Sequence, residues 1–272
     1  MGKYDGYLLV SDMDGTIIDS KGCISEENKR AIKYFVDNGG QFTLATGRML
    51  ESAYRYIRDL PCRLPVILYN GSKIYDYESK KVIYEAYLEE KVKGILRELK
   101  KSYPKFGLEI YSEENVYIYN SCRFTERFSQ KGYEVFYDVP EETWNGNWTK
   151  ILILGEIEEI DILEERFHKT FGYVNLVRSG EHFLEIIPSN TSKGSALELL
   201  CQIQGFSLEK TIAVGDNMND LELITKAGYG FCIGDGNPRL MEAAKYKTKP
   251  KDEHPILNII EEIDKMFMGD VI

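Results

Sequence analysis

The chain has 272 residues, room for one large or two modest domains at roughly 150 residues each. Its 43% hydrophobic content can form a core without disulfide or metal staples. Acidic residues outnumber basic ones 44 to 34, a net charge of −10, and a surface of that sign repels nucleic-acid backbones and anionic lipid heads.

Residues 7–10 form a continuous apolar run, as expected of a strand buried on both faces. Ser25 followed by Glu26 and Glu27 predicts a helix start, a hydroxyl cap and two carboxylates against the positive end of the dipole. That helix runs to about Asn38, where Gly39-Gly40 stops it. Residues 42–45 predict a strand, 52–60 a helix and 65–69 a third strand, the alternation of a parallel sheet with crossover helices. Residues 74–76 and 82–84 flank a polar turn and predict a hairpin.

The middle of the chain has another character. Residues 108–111 and 116–119 bracket a turn as an antiparallel hairpin, 148–154 and 183–187 read as strands, and 158–171 as an amphipathic helix. Tyr111, Tyr117, Tyr119, Trp144 and Trp148 are read as core and outer face of a small sheet. The parallel style then returns, with helices at 195–204, 221–227, 238–244 and 256–267 and strands at 211–214 and 230–233. Residues 1–82 and 189–272 are thus expected to form one α/β domain, a Rossmann-like parallel-sheet core, interrupted by an inserted α+β domain at 83–188. The insert carries a net charge of −7 and the remainder −3.

Several classes of protein fall away. No apolar stretch approaches a bilayer span, and the opening residues carry no signal-peptide core, so a cytoplasmic location is expected. Five cysteines with no Cys-x-x-Cys pair suit free thiols, and His168, His182 and His254 have no close ligand partners, which argues against zinc.

Chemistry concentrates at strand ends. In Ser11-Asp12-Met13-Asp14-Gly15-Thr16, two carboxylates two residues apart lie on one side of extended backbone, at the ligand-binding edge of a parallel sheet. Such a pair needs a cation or a shared proton, although Asp-Gly is also ordinary turn chemistry. Gly215-Asp216-Asn217-Met218-Asn219-Asp220 repeats the pattern after a later strand; helix capping explains one of its acidic residues but not the run. Thr46-Gly47-Arg48 offers a hydroxyl, a small backbone and a guanidinium, a cradle for phosphate oxygens. Lys193 opens a helix, where it is either a phosphate-binding point charge or merely solvated.

In order and content these stretches resemble the four motifs of the haloacid-dehalogenase-like (HAD) hydrolase superfamily, specifically its Cof-type phosphatases with a large inserted cap. The resemblance rests on Asp12-Met13-Asp14-Gly15-Thr16, Thr46-Gly47-Arg48, Tyr69-Asn70-Gly71, Ser192-Lys193-Gly194 and the 215–220 run. It implies a HAD-like core with a cap that moves over it and determines substrate specificity. Asp12 would be the nucleophile, forming an aspartyl-phosphate, and Asp14 the general acid and base, protonated at the start of the cycle. Mg²⁺ would be held by the carboxylates of Asp12 and Asp216 and the backbone carbonyl of Asp14. Thr46, Gly47 and Lys193 would bind the phosphoryl group. Asn219 and Asp220 would orient the metal ligands or Lys193. Arg48, Asn70 and Arg178 are the candidate substrate contacts. The pattern departs from the family at Gly234-Asp235-Gly236, where Asp235 replaces a usual Asn.

The expected activity is Mg²⁺-dependent hydrolysis of a small phosphorylated metabolite, a sugar phosphate or similar monophosphate. An acidic cap disfavours highly charged substrates and favours a neutral leaving group. The alternatives are a phosphomutase of the same superfamily and a non-catalytic module that binds Mg²⁺ and phosphate. A glycosyltransferase using Asp-x-Asp explains neither Lys193 nor the second acidic run.

Overall fold

The computed structural model describes residues 2–126, 134–172 and 174–269, and the side chains of His168 and Met268 lie outside that description. In chain order, the first elements are β1 (Leu8–Ser11), α1 (Glu26–Asp37), β2 (Gln41–Leu44), α2 (Leu50–Ile57), β3 (Val66–Leu68), β4 (Lys73–Asp76) and β5 (Lys81–Glu85). Next come α3 (Lys91–Ser102), β6 (Gly107–Ser112), β7 (Asn115–Asn120), β8 (Val135–Phe136), α4 (Glu141–Asn145), β9 (Lys150–Leu154), α5 (Ile157–Thr170), β10 (Asn175–Gly180) and β11 (Phe183–Ile187). The last are α6 (Lys193–Gln204), β12 (Thr211–Gly215), α7 (Leu221–Lys226), β13 (Tyr229–Cys232), α8 (Pro238–Ala243), β14 (Tyr246–Lys247) and α9 (Pro255–Gly269). Two compact units result, Met1–Tyr84 with Ser192–Ile272, and Glu85–Thr191. The breaks fall two and three residues beyond those expected from composition.

The discontinuous unit is built on a five-stranded parallel sheet in the order β14-β13-β12-β1-β2. All four residues of β1 are buried, which accounts for its unbroken apolar run. The order reverses between β1 and β12: the chain proceeds to β2 on one side and to β13 and β14 on the other. In open α/β sheets the crevice beyond the strands' carboxyl ends at such a point binds ligands. Ser25 caps α1 as expected, accepting from the Asn28 amide, with Glu26 and Glu27 in the first turn and Ile32 and Phe35 buried beneath. The third predicted strand joins the parallel set only through the bridge Ala45↔Ile67; its main pairing is antiparallel, with β4.

The inserted unit has a six-stranded sheet in the order β10-β11-β9-β6-β7-β8, antiparallel except for β7 with β8. Its apolar core gathers Leu96 and Leu99 of α3, Ile160 and Leu163 of α5, Ile110, Ile153 and Ile186 of the sheet, and Trp148. The sequence reading assigns no element to 91–102 or 175–180, yet α3 and β10 lie there. Val92, Ile95, Leu96 and Leu99 follow helical spacing, but Gly94 and six charged residues dilute the signal. No helix among the described residues is long and apolar enough to cross a membrane.

Candidate active site

The carboxyl ends of β1 and β12 bring the two acidic runs together. The Asp12 amide donates to the Val214 carbonyl at 2.9 Å, which continues the β1–β12 ladder by one residue and fixes where the side chain starts. One carboxylate oxygen from each of Asp12, Asp216 and Asp220 lies within 4.8 Å of the others. Gly15 has φ +80°, and a Cβ there would stand 2.5 Å from Asp216 Oδ2. The Asp-Gly step is therefore more than a turn: it lets the first acidic loop close on the second.

Among the described residues, Lys193 is the single cation inside this cluster. It is fully buried at the first turn of α6, with Nζ 2.5 Å from Asp12 Oδ1 and 2.6 Å from Asp220 Oδ1. Ser192 and Ser195 form a reciprocal capping box that fixes the helix start and hence the lysine stem. The solvated alternative for this lysine is thus excluded. Asp220 also accepts from the Asp216 amide at 3.0 Å and the Asn217 amide at 3.3 Å through Oδ2. It orients both Lys193 and the loop that carries Asp216.

Two buried carboxylates, Asp12 and Asp220, share one ammonium beside the half-buried Asp216, and the electrostatics follow. Burial raises the Asp12 carboxyl to about 7, with Asp220 adding to the rise and Lys193 opposing it. Burial, then Asp12 and Asp220, push Asp216 to about 9. Burial disfavours the Lys193 ammonium, but Asp12 and Asp220 outweigh it and hold the lysine charged. Lys193 and Asp12 are both raised because one lysine cannot neutralise three acids. Hard oxygen donors carrying excess negative charge suit a divalent cation such as Mg²⁺. The buried Oδ1 of Asn219 and Oγ1 of Thr16, neither with a hydrogen-bond partner, add unused polar capacity in the same loops.

Beyond β2, Thr46 is buried and donates its amide to the Ile67 carbonyl, while its own carbonyl accepts from the Asn70 amide. Its hydroxyl accepts from the Arg48 amide at 3.2 Å. Gly47 lies against the Asn70 side chain, whose Oδ1 in turn accepts from Asn219 Nδ2 at 3.2 Å. Tyr69 and Asn70 both hold left-handed backbone, φ +51° and +55°, in the tight turn that delivers Asn70 to this point.

Arg48, expected among the substrate contacts, is engaged with Asp14. Nε and Nη2 reach the two carboxylate oxygens at 2.6 Å each, a bidentate pair. Nη1 donates to the Ser52 hydroxyl at 3.1 Å, and the guanidinium lies 4.7 Å from the centre of the Tyr56 ring. Ser52 and Tyr56 carry no motif, so the sequence gives no sign of this seat. Arg178 belongs to the inserted unit and donates to the Gly180 and Glu181 carbonyls and to Glu164, with Asp161 alongside. Those bonds tie the β10–β11 turn to α5. Asn237, not singled out in the sequence, donates its amide to the Asp216 carbonyl at 2.7 Å and its Nδ2 to Asn217 Oδ1 at 3.1 Å.

The fold and this site define an α/β protein with an acidic cluster at the β1–β12 switch point. A family model for haloacid dehalogenase-like hydrolase matches residues 9–260, and the chain belongs to that family. It is 30% identical over 245 residues to a Buchnera aphidicola (subsp. Baizongia pistaciae) protein named "Putative phosphatase", covering 87% of this chain and 89% of that one. It is 26% identical to a 5-amino-6-(5-phospho-D-ribitylamino)uracil phosphatase of Bacillus subtilis, covering 94% and 97%. Among solved structures, a haloacid dehalogenase-like hydrolase from Bacteroides thetaiotaomicron superposes with a TM-score of 0.77 at 27% identity, covering 94% and 99%. The Cof-type resemblance holds across the chain, and the enzyme is a hydrolase of the phosphatase type.

Proposed function

We propose that the protein is a Mg²⁺-dependent phosphatase that hydrolyses a small phosphorylated metabolite, a sugar phosphate or similar monophosphate, through a phosphoryl group carried on Asp12. The observation that carries this reading is the buried Asp12–Lys193–Asp220 chain at 2.5 and 2.6 Å, beside an Asp14 gripped by Arg48. Asp12, Asp216 and the backbone carbonyl of Asp14 would hold Mg²⁺, which supplies charge neutralisation to the phosphoryl oxygens. An Asp12 carboxylate oxygen forms a bond to phosphorus as the ester P–O bond breaks. Once one Asp14 oxygen leaves the Arg48 fork and carries a proton, the departing alkoxide takes that proton. Asp14 then accepts a proton from the water that attacks phosphorus, which frees Asp12 and releases inorganic phosphate. Lys193 stays charged against the growing charge on the equatorial oxygens, with the Thr46 hydroxyl and Gly47 backbone as further donors.

The inserted unit, with its acidic surplus, is the specificity element, in a protein that works in the cytoplasm. A monophosphate substrate agrees with one relative, named as a 5-amino-6-(5-phospho-D-ribitylamino)uracil phosphatase. The test is phosphate release from p-nitrophenyl phosphate and a panel of metabolite monophosphates in Mg²⁺. Turnover that disappears in Asp12→Asn is expected; no release from any ester would refute the reading.

A further inference from the structure

Asp235 is where the chain leaves the family pattern, so no role follows for it from resemblance. Its carboxylate accepts from the Lys251 amide at 3.0 Å and forms an ion pair with the Lys251 ammonium. Burial raises its pKa, but the Lys251 bonds outweigh this and lower it overall. The carboxylate is thus spent on Lys251.

That pairing has a mechanical consequence for Asp216. Residues 233–237 lie along the loop that follows β12. The Ile233 amide donates to the Gly215 carbonyl at 3.2 Å, the Asn237 amide to the Asp216 carbonyl at 2.7 Å, and Asn237 Nδ2 to Asn217 Oδ1 at 3.1 Å. At Gly236 a Cβ would stand 2.9 Å from the Asp216 carbonyl oxygen, so backbone presses directly on backbone there. Asp220 already holds the Asp216 amide from the other side. Asp216 is therefore pinned at its N–H by Asp220 and at its C=O by Asn237. Asn237 is steady only if its own loop is, and Asp235 sits between two glycines in that loop. Lys251 is a firm anchor: its neighbour Asp252 accepts from the Ser20 amide at 2.8 Å, and Gly234 donates to the Lys249 carbonyl at 3.3 Å.

We propose that Asp235 is a positioning residue for Asp216: by tethering the 233–237 loop to Lys251, it fixes the Asp216 main chain and thereby sets the affinity of the acidic cluster for its divalent cation. The proposal rests on the reading that Asp12 and Asp216 hold such a cation. Residues that orient metal ligands from behind cost tenfold to a hundredfold in affinity when removed. Asp235 acts through one further residue, so roughly a tenfold loss is expected.

The experiment is calorimetric titration of Mg²⁺ into the full-length protein and into Asp235→Ala, Asp235→Asn and Lys251→Ala, with urea unfolding of each. Asp235→Ala and Lys251→Ala should weaken Mg²⁺ binding by a similar factor at unchanged stoichiometry. Asp235→Asn, which keeps an acceptor for the Lys251 amide, should recover part of the affinity. Variants that bind Mg²⁺ as tightly as the parent, even with lowered urea midpoints, would show a purely structural tether and overturn the proposal. A parent protein that binds no Mg²⁺ would instead overturn the reading of the acidic cluster itself.

Discussion

Arg48 grips Asp14 with two hydrogen bonds of 2.6 Å, Nε to Oδ2 and Nη2 to Oδ1, while Ser52 and the Tyr56 ring hold the guanidinium from behind. The planar fork fixes the direction of the carboxyl group, which a lysine ammonium cannot do. Arg48 therefore serves the proposed acid and base rather than the substrate. In Arg48→Lys, kcat should fall roughly tenfold to a hundredfold, the cost of misplacing a reacting group by about an ångström. KM should change little in the same steady-state series. A raised KM with unchanged kcat would return Arg48 to substrate binding.

The raised carboxyls make cation binding and stability depend on pH with a definite sign. Asp12 and Asp216 titrate above their unfolded values, so without a cation the fold binds more protons than the unfolded chain between about pH 4 and 9. Stability from these two groups is present at the acid end and is lost as pH rises through the folded values. A divalent cation displaces those protons, so its stabilising effect should grow with pH. In chelator-treated protein, the Mg²⁺-induced gain in Tm should be larger at about pH 8 than at about pH 6, with proton release on binding. Equal gains at both pH values and no proton release would count against this electrostatic picture.

Gly15 tests how closely the two acidic loops must approach. Alanine there pays the left-handed backbone cost of about 1–2 kcal/mol and drives a methyl group against Asp216. Gly15→Ala should fold with a lowered urea midpoint and bind Mg²⁺ at least tenfold more weakly, in line with displaced metal ligands. A folded variant with undiminished Mg²⁺ affinity would show that the loops have slack.

Much of this site was legible because its parts are short and local. Asp12, Asp14, Asp216 and Asp220 lie just past apolar strands and Lys193 at a helix start, which marks them as candidates; their roles come from the family resemblance, since the residues alone leave turn chemistry and a solvated lysine open. What was not legible depends on residues distant in sequence. Asp14 meets Arg48 across 34 residues, and Asp216 meets Asn237 across α7 and β13, with no shared periodicity to announce either contact. Arg178 looked available in the sequence because its acceptors are mostly backbone carbonyls and helix carboxylates of the inserted unit. α3 is not legible in the sequence, because Gly94 and its charged neighbours obscure the Val92, Ile95, Leu96 and Leu99 stripe.

The central claim is that Asp12 carries the phosphoryl group. The direct measurement is rapid acid quench of the enzyme mixed with Mg²⁺ and a phosphate monoester that it turns over, followed by peptide mass spectrometry. The expected result is a transient phosphoryl group on the peptide containing Asp12, absent in Asp12→Asn, with a decay rate at least as fast as turnover. Full phosphate release by Asp12→Asn, or a phosphoryl group carried on another residue, would contradict it.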